Sequence, residues 1–177
     1  MLLTAPGVPM LFMGQEILAD RLWSDDPNRT ELLVRWADLD RDPDARDFHR
    51  FTRDLLRLRR RHPALRSERV ACYHADPGNR VLAFQRWVPG IGRDVVVVVS
   101  LCERSFSDGG YALGLPCPGR WIEVFNSDYY GNFPNAHVQG NAGGVDADGG
   151  PMHGLGHSAS LTIPANSVLV LARDHGD

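Results

Sequence analysis

Arg80–Leu101 reads RVLAFQRWVPGIGRDVVVVVSL, and its reading sets the class of fold. Arg80–Val88 and Asp94–Leu101 are short runs rich in β-branched and aromatic residues, parted by the turn signal Pro89-Gly90. That pattern predicts two strands. Downstream, Tyr111–Leu115, Trp121–Asp128 and two segments within Ser158–Arg173 read the same way. Pro77-Gly78-Asn79, Asp108-Gly109-Gly110 and Pro118-Gly119 mark further turns, and Gly140–Gly150 reads as a glycine-rich loop. Short strands at close spacing predict an antiparallel β module, most simply a sandwich, over residues 66–177.

Upstream of Arg66 the character changes. Asp42 is a good N-cap and Pro43 suits the first helical position. Phe48, Phe51, Leu55 and Leu58 recur at steps of three and four, so a helix over Asp42–Arg61 carries one apolar face. Arg57, Arg59, Arg60 and Arg61 crowd its last turn, where positive charge suits the helix dipole, and His62-Pro63 ends it. The plainer reading of that run is a solvated helix terminus rather than an anion patch. Ile17–Asp42 is polar and irregular apart from Trp23 and Trp36. Pro9–Met13, PMLFM, predicts a short strand apolar on both faces, as in a parallel sheet, with Gly14, Gln15 and Glu16 just past its end.

The totals exclude several classes. A formal net charge of −3 over 177 residues gives no general attraction to nucleic acid or to an anionic membrane. All 19 basic residues are arginine, which fits the codon preference of a GC-rich genome. Cys72, Cys102 and Cys117 are odd in number and lack CxxC spacing, so a reducing, cytoplasmic setting is expected. The apolar start has no basic leader, and Pro6, Gly7 and Pro9 interrupt it. No run approaches the about 20 apolar residues of a membrane span.

Motifs that carry chemistry are incomplete. His153 and His157 are four apart across glycines with no third ligand in view, and DADGG from Asp146 lacks the later residues of a calcium loop. The glycine-rich loop has no lysine and opens no helix, and no G-x-S-x-G occurs. Asp25, Asp26 and Glu31 read as ordinary loop acids. Taken from its residues, the chain is an α+β protein with no complete catalytic set and no cofactor implied.

The motifs in order nonetheless resemble a known family. PGVPMLFMGQE, FHRFTRDLLRLRRRHPAL, NRVLAFQRW, DVVVVVSL, WIEVFNSDYYG and IPANSVLVL resemble the C-terminal third of α-amylase-superfamily enzymes, with FNSD and IPANS favouring bacterial 1,4-α-glucan branching enzymes. The resemblance implies that residues 1–65 hold the last strand and helix of a (β/α)8 barrel, and that residues 66–177 form the appended all-β C-terminal sandwich domain. It implies an α-glucan as substrate and retaining transfer to a 6-hydroxyl. The nucleophile, the acid/base and a third acid stand on earlier barrel strands, so no catalytic role falls on a residue of this chain, which is expected to be inactive alone. Gln15, Glu16, Trp23 and Asp25 are the candidate substrate-binding residues, because they follow the strand or lie on the loop over the barrel mouth. Trp23 is placed to stack on a sugar ring, although packing down its own loop explains it equally. In the β domain, Tyr129 and Tyr130 are candidates for a glucan platform, whereas Trp87 and Trp121 read as core. The missing barrel portion is the implied protein partner. Without it the strand Pro9–Met13 has two unpaired edges, and the segment is expected to be disordered, rearranged or paired with another chain. Two alternatives share the same residues: a stand-alone glucan-binding β module, and part of a related superfamily hydrolase.

Overall fold

A computed structural model describes residues 1–176. Helix α1 spans Pro43–Arg61 and the single turn α2 spans Pro63–Arg66. Eight strands follow: β1 Val70–Asp76, β2 Val81–Arg86, β3 Val95–Ser100, β4 Phe106–Leu115, β5 Gly119–Asn126, β6 Gly144–Ala147, β7 His157–Ile163 and β8 Val168–Ala172. A six-stranded antiparallel sheet runs β1-β2-β3-β8-β5-β6, and β4 pairs with β7 in a separate ribbon. The molecule is mostly β structure with a few helices.

The valine run explains the layering. Val96 and Val98 of β3 join Leu113, Leu161 and Leu169 in a core between the two sheets. Val95, Val97 and Val99 point the other way, to a second core with Leu55, Leu58 and Leu65 from the helical segment. Every residue of β3 is buried, so its sequence does not alternate: both faces are covered, one by the ribbon and one by α1. A bulge gives β5 the same service. Glu123 pairs with Leu171 and Phe125 with Val170, leaving Val124 extra. Trp121 therefore enters the inter-sheet core, and Phe125 turns to the helix side instead of following it.

Two strands lie outside the sequence expectation, β1 and β6, and both are edges of the large sheet. Strand β6 falls within the segment read as a glycine-rich loop. Gly144 is what lets it pair, since a Cβ there would stand 2.2 Å from the Trp121 carbonyl oxygen.

Helix α1 begins as its sequence indicates. The Asp42 carboxylate accepts from the backbone N–H groups of Asp44 and Ala45 at 2.9 and 3.3 Å. Its inward-facing Arg59 donates to the carbonyls of Leu3, Ala5 and Gly7 at 3.0, 2.9 and 2.6 Å. Arg86, 0% exposed on β2, donates to the carbonyls of Thr4, Leu65, Ser67 and Arg69. These two guanidiniums fasten residues 3–7 and the α2–β1 link onto the sheet.

The expected strand Pro9–Met13 is not formed. Residues 8–12 are irregular, with Val8 97% and Met10 71% exposed. A strand is held by neighbours, and among the described residues no strand lies beside the segment. Just after it, Gln15–Ile17 forms a single 3-10 turn, with Ile17 buried and facing α1. Among the described residues no helix is long and apolar enough to cross a membrane.

Candidate functional site

Gly14 turns the chain in the left-handed region (φ 83°) and launches the 3-10 turn that carries Gln15 and Glu16. A Cβ at Gly14 would stand 2.8 Å from Ala19 Cβ, so the tight turn and the return of the chain both need glycine here. Gln15 is exposed, and its Oε1 accepts from the Phe12 N–H at 3.0 Å. Gln15 also edges a groove of about 520 Å³ between the N-terminal segment and α1, with Leu11, Leu18, Phe48, Phe51 and Leu55 among its walls. Glu16 is half-buried on the same turn and does not line that groove.

The loop that follows this turn is built from local bonds. The Asp26 N–H donates to Ser24 Oγ at 3.2 Å, and Asp26 Oδ1 accepts from the backbone and side chain of Asn28 at 2.9 and 3.0 Å. Arg21 ties the loop's two ends, donating to the Glu31 carbonyl at 2.7 Å and facing Asp38 at 3.5 Å. Trp23 stands 58% exposed, and Asp25 is exposed beside it in sequence. Neither makes a side-chain hydrogen bond among the described residues. Trp36 is exposed too, its ring set edge-on to His49 of α1 with the ring centroids 6.4 Å apart. Of the four residues expected to contact substrate, only Gln15 borders the groove; Glu16, Trp23 and Asp25 do not share it.

The tyrosines divide into two roles. Tyr130 donates its hydroxyl to Asp54 Oδ2 on α1 at 3.0 Å and packs among Phe51, Phe125 and Phe133. Burial, with Asp54 close by, pushes its phenol well above the ordinary value. Tyr129 remains 42% exposed. Trp121 is wholly buried and donates its indole N–H to the Cys117 carbonyl at 2.9 Å, and Trp87 is half-buried just past β2.

A second polar cluster joins β1 to the β4–β7 ribbon. His74 Nε2 lies 2.6 Å from the Tyr111 hydroxyl, which in turn donates to Asp76 Oδ2 at 3.1 Å. The His153 ring stacks on His74 at 3.9 Å, and its Nδ1 accepts from the Gly114 N–H at 3.2 Å. His153 is thus a brace between strands, and His157 opens β7. Among the described residues no group of three metal-ligating side chains converges. The sequence motifs did not disclose the apolar groove, although the three- and four-residue spacing of Phe48, Phe51, Thr52 and Leu55 was its signal.

These features are those of an all-β domain closed on one face by a helix. The chain belongs to the family described as the α-amylase C-terminal all-beta domain, whose model matches residues 73–174. It is similar to the 1,4-α-glucan branching enzyme GlgB of Mycolicibacterium paratuberculosis, 37% identical over 175 residues that cover 94% of this chain and 22% of that protein. The GlgB of Frankia casuarinae is 36% identical, with 94% of this chain and 20% of that protein covered. The GlgB 2 of Xanthomonas oryzae is 35% identical, with 95% and 22% covered. The chain thus spans about a fifth of the length of these curated relatives. Among solved structures, an inactive double mutant of MutB in complex with isomaltulose matches 82% of this chain and 20% of its own, at 23% identity and a TM-score of 0.44.

Proposed function

We propose that this chain is the C-terminal portion of a 1,4-α-glucan branching enzyme-like protein. In this reading, residues 1–65 supply the last strand and helix of the catalytic (β/α)8 barrel, and residues 66–177 are the β domain that buttresses it. One observation carries it: an apolar stretch with the composition of a barrel strand, Pro9–Met13, is left unpaired and largely exposed beside a β domain whose own cores are closed. Val8, Met10, Phe12, Leu22, Trp23 and Trp36 are exposed together in the first forty residues, more apolar surface than a finished surface usually shows. Identity to the GlgB proteins over 94% of the chain requires that the likeness run well into this N-terminal segment.

Gln15, Glu16, Trp23 and Asp25 then form a substrate rim. Trp23 offers a face for a glucose ring, Gln15 an amide, and Glu16 and Asp25 carboxylates that accept from sugar hydroxyls. The carboxylates that break and remake the glycosidic bond come from the remainder of the barrel: one attacks the anomeric carbon, and another protonates the leaving oxygen, then deprotonates the acceptor 6-hydroxyl. The three unpaired cysteines suit a cytoplasmic setting. Affinity electrophoresis through glycogen-containing gels tests the rim. The expected result is retardation that Trp23→Ala at least halves, with no branching by the chain alone in an iodine-stain assay. Migration unaffected by glycogen removes the rim from the account.

A second reading, a stand-alone glucan-binding β module, is favoured by one feature: α1 closes the outer face of the sheet within this chain. In that case retardation would follow Tyr129 rather than Trp23.

A further inference from the structure

The arginines at the end of α1 do not disperse into solvent. Arg57, Arg60 and Arg61 stand at i, i+3 and i+4, on one side of the helix. After the break at His62-Pro63, the turn α2 brings Arg66 to the same place. Together with Pro63 and Gly176 these four line a cleft of about 460 Å³, and no acidic side chain is among its described lining residues. An adjoining cleft of about 500 Å³ shares Arg57 and Arg61, and Phe125, Tyr130 and His175 help to wall it. Asp54, the acid among its described lining residues, is already engaged by Arg57 at 3.1 Å and by the Tyr130 hydroxyl at 3.0 Å. Arg60, Arg61 and Arg66 make no ion pair or side-chain hydrogen bond among the described residues. Beneath Gly176 lies His62, 1% exposed, whose Nε2 has no hydrogen-bond partner among the described residues. That nitrogen is 2.7 Å from where a Cβ on Gly176 would stand.

We propose that this paired cleft binds a phosphate monoester carried on a ring, a sugar phosphate or a nucleotide. The helix dipole accounts for a positive group in the last turn. It does not account for Arg66, which comes from outside α1, nor for like charges three and four apart, which repel. An anion resolves that repulsion. Guanidinium forks match phosphate oxygens in pairs, and three of them here have no hydrogen-bonding or ion-pair partner among the described residues. The negative end of the helix opposes an anion with roughly half a charge, which the arginines outweigh. Each cleft falls in the roughly 300–1,000 Å³ range of small-molecule sites. With the phosphate among Arg57, Arg60, Arg61 and Arg66, the ring it esterifies lies toward Tyr130 and Phe125. The site is at the opposite end of α1 from the Asp42 cap, and it is independent of the glucan reading.

Isothermal titration calorimetry of the 177-residue chain at low ionic strength tests it, with glucose 6-phosphate and AMP as probes and sulfate, inorganic phosphate, glucose and adenosine as references. The expected result is saturable one-site binding of at least one phosphorylated probe, tenfold or more tighter than sulfate. Glucose and adenosine should not bind, and the tighter of the two phosphorylated probes identifies the ring. Arg60→Gln and Arg61→Gln should each weaken binding about tenfold, and Arg41→Gln, which removes the same charge elsewhere, should not. All three side chains are exposed, and unchanged thermal midpoints would show the variants folded. Binding of neither probe, binding no tighter than sulfate, or affinity indifferent to Arg60 and Arg61 would each overturn the proposal.

Discussion

Arg86 shows what a single side chain does here. Its guanidinium is wholly buried, and its four acceptors are backbone carbonyls drawn from the N-terminal segment, α2 and the link to β1. Thr4 and Leu65 are buried, so their carbonyls need the donor most. Arg86→Ala is expected to cost about 3 kcal/mol in urea unfolding, because four backbone acceptors, those of Thr4 and Leu65 buried, lose their partner at once. Arg59→Ala should act more locally, by freeing residues 3–7 to early proteolytic cleavage while the β domain stays intact. The histidines set a pH dependence. Burial holds His62 below the ordinary imidazole value, and burial with the neighbouring His153 does the same for His74. The unfolded chain therefore takes up protons first as pH falls through about 6.5. Stability is present above that value and is lost below it, so the urea midpoint should drop between pH 7.5 and 5.5. His74→Gln should flatten part of that slope. Asp76 is silent in this window, since hydrogen bonds from Asn79 hold its carboxyl at about 2.

At the scale of elements, burial on two faces separates what was legible from what was not. The valine run announced a strand, and only the structure tells which of its faces meets α1 and which the ribbon. Val97→Asp and Val98→Asp are consequently expected to be equally disruptive, each preventing cooperative unfolding by circular dichroism. A strand open to water on one face would tolerate one of them. Helix α1 was readable because its cap, its proline and its apolar spacing agree. The strands β1 and β6 were not, because edge strands are buried on fewer sides and carry weaker composition: VACYHAD is half polar, and GVDA lies among glycines. Their existence depends on partners distant in sequence, β2 and β5. The bulge at Val124 was equally invisible, although it decides that Phe125 meets the helix. The arginine cleft needed the turn at Pro63 to bring Arg66 back, and that turn is a matter of tertiary path.

At the scale of the molecule, the β domain is self-consistent and the first forty residues are not. Two closed cores account for the sheets and α1, whereas Val8–Phe12 and the loop bearing Trp23 and Trp36 leave large apolar side chains in water. The expected strand Pro9–Met13 reads as apolar on both faces, and among the described residues no strand flanks it to hold it in that form. In the proposed reading, completion of a barrel by the remainder of a branching-type enzyme would cover that surface, pair Pro9–Met13 as a strand and set Gln15 and Glu16 at the mouth. The most direct measurement is reconstitution: this chain is mixed with a polypeptide carrying the first seven strands of a GlgB-type barrel, and branching is followed by iodine staining. Activity in the mixture, with none in either part alone and with new amide protection at Met10–Met13, is the predicted result. Branching by this chain alone, or a folded partner that leaves Met10–Met13 unprotected, would contradict the account.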